Sequence, residues 1–140
     1  MKIKRKKISF KRKKELLDAY ENKKFDISEE LSLLYIKQDP SDSFLWKILG
    51  LTYMETNKLS DALDATKKNL SLDPKDYEAH NNLGLIFKML NKRNEALNCY
   101  KKAINLKSDF FAAYKNLGTL FNESGDVKKA LQYYNEAYKI

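Results

Sequence analysis

Few residues of this chain could carry covalent chemistry, and they do not make a set. There is one histidine, His80, and one cysteine, Cys99. A cysteine nucleophile needs a base and an orienting group, and a zinc site needs three or four nitrogen or sulfur ligands. One of each is too few for either. Asp61 and Asp64 stand at i, i+3, a spacing that places two carboxylates on one helix face but is equally that of a solvated pair. No glycine-rich loop is available to cradle a phosphate. The sequons Asn69-Leu70-Ser71 and Asn122-Glu123-Ser124 would matter only in a secreted chain. The expectation is a protein that is not an enzyme, with no cofactor and no metal site.

The elements that would position any site must come from 140 residues, 43% of them hydrophobic and 12% aromatic, which is too much core-forming material for a disordered chain. Four glycines and two prolines are too few for a turn-dense β fold, so helices are favoured. No apolar run approaches the roughly 18 residues of a membrane span, and no signal-peptide core follows the basic start. A single cysteine excludes an internal disulfide and fits a reducing compartment. A cytoplasmic protein is expected.

Charge is concentrated at one end. Residues 1–14 hold nine of the 27 basic residues and no acid; the other 18 face 19 acids, so residues 15–140 carry a net charge of −1. A nucleic-acid or anionic-surface contact is therefore expected only of this stretch, which reads as a disordered, solvated arm.

Shifting the sequence by 34 residues brings many positions into coincidence. Leu49-Gly50, Leu83-Gly84 and Leu117-Gly118 align, as do Tyr53, Phe87 and Phe121, and Ala62, Ala96 and Ala130. Trp46, His80 and Tyr114 share a position, which gives His80 a packing role, and Asn57, Asn91 and Gly125 share another. Each unit reads as two amphipathic helices: Trp46, Leu49, Gly50 and Tyr53 recur at i, i+3, i+4 and i+7. Asn or Gly closes the first helix in the left-handed conformation, and Asp39-Pro40 or Asp73-Pro74 stops the second. The small residues allow two helix backbones to approach closely.

These residues resemble the tetratricopeptide repeat, a 34-residue helical hairpin. Residues 111–140 and 77–110 fit best. In 43–76, Thr66 and Asn69 replace an aromatic and an alanine, which suggests looser packing there; residues 15–42 keep the periodicity but lack Leu-Gly and read as a degenerate N-terminal helix pair. The resemblance implies an all-α α-solenoid, a right-handed superhelix of antiparallel helix pairs, with three repeat units (43–76, 77–110 and 111–140) behind the degenerate pair 15–42 and the arm 1–14.

It also implies a function: first helices line a concave groove that binds a peptide or a segment of a partner. Carried over, the groove residues are Lys47, Asn81, Asn82, Leu85, Lys115, Asn116 and Thr119, with Ile48 sharing the position of Asn82 and Asn116. The two asparagines look like the asparagine ladder of O-linked N-acetylglucosamine transferases, in which side-chain amides pair with a peptide backbone. The five-residue carboxylate clamp of chaperone-binding relatives is matched only by Lys47 and Asn82; Leu51, Ala112 and Asn116 depart from it. Residues 111–140 end on a second helix without a polar capping helix, so Val127, Leu131, Tyr134 and Tyr138 are expected to form an uncovered edge where a partner or a second copy docks, unless the natural protein continues. The resemblance therefore implies a non-enzymatic interaction scaffold; the alternatives are an accessory arm of a larger enzyme such as a glycosyltransferase, and a nucleic-acid contact through residues 1–14.

Overall fold

Every 34 residues the backbone makes the same left-handed turn. Lys23, Asn57 and Asn91 have φ of 58°, 57° and 58°, and Gly125 has φ of 80°. At each, the amide of the next residue reaches five positions back: Lys24 to Ala19, Lys58 to Tyr53, Lys92 to Phe87 and Asp126 to Phe121, at 2.7–3.0 Å. The left-handed residue's own amide donates three positions back, Asn57 to Met54 at 3.1 Å for example. This paired pattern satisfies the carbonyls left over at a helix end and reverses the chain. The sequence marked three of the four turns; Lys23 is the fourth and extends the register to the N-terminal pair.

In the computed structural model, which describes residues 7–140, these turns join eight helices, with no strand among the described residues. They are α1 (Phe10–Glu21), α2 (Phe25–Gln38), α3 (Ser43–Glu55), α4 (Leu59–Leu72), α5 (Tyr77–Met89), α6 (Arg93–Leu106), α7 (Phe111–Glu123) and α8 (Val127–Tyr138). Asp42 and Asp76 begin α3 and α5 by accepting the amides of Phe44 and Ala79, and Asp126 does the same for α8 with Lys129. Acids suit these ends, where unpaired N–H groups carry partial positive charge. The helices divide into two units, Met1–Pro74 and Lys75–Ile140.

The first unit buries Ile8, Leu16, Tyr35, Ile36, Leu45, Ile48, Leu49 and Ala65 in one cluster. Two expectations change here. The stretch 1–14 is not a disordered arm throughout: residues 1–6 lie outside the described residues, but Ile8 is buried and α1 begins at Phe10. The basic residues there are partly engaged, Arg12 donating to Gln38 at 2.8 Å and Lys13 pairing with Asp42 at 2.5 Å. Their register explains this, since Ile8 and Leu16 supply apolar anchors that the density of lysines hides. Ile48, placed in the groove by its repeat position, is instead buried in this cluster. A β-branched aliphatic chain gains more from apolar neighbours than from water.

Within each hairpin, bulk is exchanged between the two helices. A Cβ on Gly84 would lie 2.5 Å from Tyr100, one on Gly118 2.5 Å from Tyr134, and one on Gly50 2.7 Å from the Thr66 hydroxyl. Glycine in the first helix is thus matched by a side chain in the second. Thr66 comes nearly as close to Gly50 as the tyrosines do to their glycines, so the shorter residue leaves no gap at this point. At the same positions the N-terminal pair carries Leu16 and Ser32, both fully buried. There the large side chain is on the first helix and the small one on the second. The absence of Leu-Gly is therefore a relocation of volume, and α1–α2 is a full helical hairpin.

Two outcomes follow. Lys23→Gly should raise the melting temperature by about 2–5 °C, because a lysine held at positive φ costs roughly 1 kcal/mol that glycine avoids. Gly84→Ala should cost about 1–3 kcal/mol in urea unfolding, and adding Tyr100→Leu should recover part of the loss although it is destabilising alone. Additivity of the two would mean that Gly84 and Tyr100 do not compete for space.

Candidate functional site

The expected groove residues of the second unit lie on α5 and α7, helices that touch through their side chains. Asn81 is buried on α5, and its carbonyl oxygen accepts from the Asn116 amide nitrogen of α7 at 2.8 Å. Asn82 and Leu85 are half-buried on α5; Leu85 packs against the cluster of Ala96, Tyr100, Leu117 and Leu120. Thr119 donates to the Lys115 carbonyl at 3.0 Å, and its hydroxyl stands 3.3 Å from that of Tyr134. At the far end of the two helices Lys88 pairs with Glu123 at 2.7 Å. Arg93 caps the same end, donating to the Leu120 carbonyl with its guanidinium 5.3 Å from the centre of the Phe121 ring. Lys47, the residue assigned to the first unit, is half-buried on α3.

The two asparagines expected to act alike do different things. Asn116 ties α7 to α5 through Asn81. Among the described residues Asn82 makes no side-chain hydrogen bond within the protein. Asn82 is thus the amide left without a side-chain partner among the described residues, while Asn81 and Asn116 join α5 to α7. The sequence could have hinted at this, because Asn81 has Lys47 and Lys115 at its repeat position, so the amide pair occurs at one step only.

The expected docking edge also divides. Val127, Leu131 and Tyr138 are exposed on α8. Tyr134 is half-buried and packs over Gly118, yet it lines the same open hollow as Leu131 and Tyr138. A glycine opposite an aromatic draws the ring into the hairpin.

The residues weighed for covalent chemistry are not assembled. Cys99 is partly buried on α6, and desolvation, with Glu95 adding to it, pushes its thiol up to about 11. It stays protonated at neutral pH, the wrong state for a nucleophile. His80 is half-buried on α5, as its repeat position implies, and Asp61 and Asp64 are exposed on α4. Burial also raises the Tyr100 hydroxyl, which has no hydrogen-bond partner among the described residues. No group of three or more His, Cys, Asp or Glu among those residues could hold a metal ion, and no helix there is long and apolar enough to cross a membrane.

Hairpins of equal length, joined by one repeated turn and packed small-against-large, define an all-α repeat protein of the solenoid class. Residues 77–110 and 111–140 each match a family model described as tetratricopeptide repeat, so the chain is a tetratricopeptide-repeat protein over those 64 residues. No curated protein matches the sequence significantly. Among solved structures, "Crystal structure of MamA" superposes with a TM-score of 0.84 at 21% identity, covering 91% of this chain and 75% of that one. "MamA 41-end from Desulfovibrio magneticus RS-1" gives 0.83 at 15% identity, covering 91% and 72%. At such identities the likeness is one of fold. Tetratricopeptide repeats are protein-interaction scaffolds, and this chain is one in that general sense.

Asn116→Ala should lower stability by about 1–2 kcal/mol, because it strands the buried Asn81 oxygen, whereas Asn82→Ala should leave the urea midpoint within about 0.5 kcal/mol of wild type. Equal effects would mean that the Asn81–Asn116 bond is not a staple.

Proposed function

We propose that this protein is a non-enzymatic interaction module that takes an extended peptide across the α5–α7 face. The observation that carries this is the Asn82 amide: half-buried beside Leu85, on a helix whose neighbouring amide is already used, and without a side-chain partner among the described residues. A side-chain amide donates and accepts at once, so it pairs with one peptide group of a ligand whatever the ligand's side chains are. Leu85 offers an apolar contact one turn along. The Asn81–Asn116 bond and the Lys88–Glu123 pair hold α5 against α7 at either end. A surface fixed in this way loses little freedom on binding. The ligand's charge is not dictated, because Lys88 is neutralised by Glu123 and the amide is neutral.

The test is direct. Peptides selected from a random library on the wild-type chain should bind Asn82→Ala roughly tenfold more weakly, as expected for losing a two-way amide contact. Its melting temperature should be unchanged. Selected peptides that bind the variant equally well would place the site elsewhere.

A further inference from the structure

Every exposed side chain of α2 lies on one stripe: Asp26, Ile27, Glu30, Leu33, Leu34 and Lys37. The opposite side carries the buried Ser28, Ser32, Tyr35 and Ile36. Half of the stripe is apolar, with Ile27 47%, Leu33 41% and Leu34 51% exposed. At the repeat positions of these three, α4 has Asp61, Lys67 and Lys68, α6 has Glu95, Lys101 and Lys102, and α8 has Lys129, Asn135 and Glu136. All of those are charged or polar, and all are exposed. The positions therefore face outward in every hairpin. Both α4 and α8 belong to hairpins with another packed before them, through α2–α3 and α6–α7. A hairpin in register before α1 would accordingly leave the α2 stripe uncovered too.

The stripe also carries both halves of an ion pair that it cannot close. Glu30 and Lys37 are about 10 Å apart along the helix axis, and neither forms an ion pair among the described residues. Leu33 and Leu34 stand midway between them. A two-fold axis through this pair of leucines sets Glu30 opposite the partner's Lys37, and Lys37 opposite the partner's Glu30. The surface is thus complementary to itself when two such helices run antiparallel, with apolar contact at the centre and opposite charges on either side.

We propose that α2 seats a second copy of this chain, α2 against α2 in antiparallel, as a weak two-fold dimer. A helix of another protein would have to carry the same pattern, an acid and a base flanking a leucine pair, and the chain itself supplies it. One helix face is a smaller patch than the roughly 800 Å² that each partner contributes to a stable complex. The dimer should therefore form and dissociate with concentration. The charged and polar residues at these positions in α4, α6 and α8 confine the contact to α2. A two-fold contact between identical surfaces is closed, so it stops at two copies.

Sedimentation equilibrium of the full chain between ~10 µM and ~1 mM reads the association. A reversible monomer–dimer equilibrium is expected. Leu34→Lys, which gives α2 the residue that α4 and α6 carry there, should weaken it tenfold or more. Leu34 is exposed, so the variant should fold; circular dichroism checks it. Glu30→Lys and Lys37→Glu should each weaken self-association roughly tenfold, because each turns two attractive pairs into repulsive ones. An equimolar mixture of these two variants should recover the dimer, since every lysine then meets a glutamate. Deletion of residues 1–6, Asn82→Ala and Leu131→Glu should each leave the equilibrium unchanged, which separates this contact from the start of the chain, the α5–α7 face and the exposed side of α8. A monomer throughout the range, indifference to Leu34→Lys, a mixture that does not recover, or loss of the dimer with any of those three changes would overturn the proposal.

Discussion

The structure depends on how closely the two helices of a hairpin can approach. Backbone contact at that crossing needs one partner to be small, and the van der Waals gain of the interdigitated side chains falls off within an ångström. Gly84 under Tyr100 and Gly118 under Tyr134 meet the requirement in one direction, and Gly50 with Thr66 meets it with less bulk. Leu16 and Ser32 occupy the same two positions in the other order. What is kept from hairpin to hairpin is a small residue on one side of the crossing, which allows the close approach of the two helices.

That constraint explains what could be read from the sequence. Helix count, turn positions and the 34-residue register follow from local rules: a left-handed residue, a following amide, an aspartate at a helix start. These recur in the letters at Asn57, Asn91 and Gly125. The N-terminal pair was harder, because its left-handed residue is Lys23 and its large residue sits on the other helix. Burial of Ile8 and the start of α1 at Phe10 were obscured by nine basic residues in fourteen. Lysine and arginine are compatible with a helix whose opposite side is apolar.

The site was less legible than the fold for a physical reason. Position in a repeat predicts which way a side chain points, but not which neighbour takes its hydrogen bond. Asn82 and Asn116 hold the same position, yet only Asn116 finds an amide one helix away, because Asn81 has no asparagine counterpart at Lys47 or Lys115. Tyr134 likewise has an edge position by sequence, and its packing over Gly118 leaves it only half-exposed there. Ile48 was carried to the groove by alignment and into the core by its chemistry.

The repeated turn has a consequence for how the chain reaches this state. Each reversal is closed by amides bonding three and five residues back, so a hairpin's first organising contacts span almost no loop. Chains built from such short-range closures fold rapidly. Each hairpin can also serve as its own nucleus, with neighbours adding by propagation. Lys23, the one turn of the four without asparagine or glycine, holds the left-handed conformation at a greater energetic cost than the others.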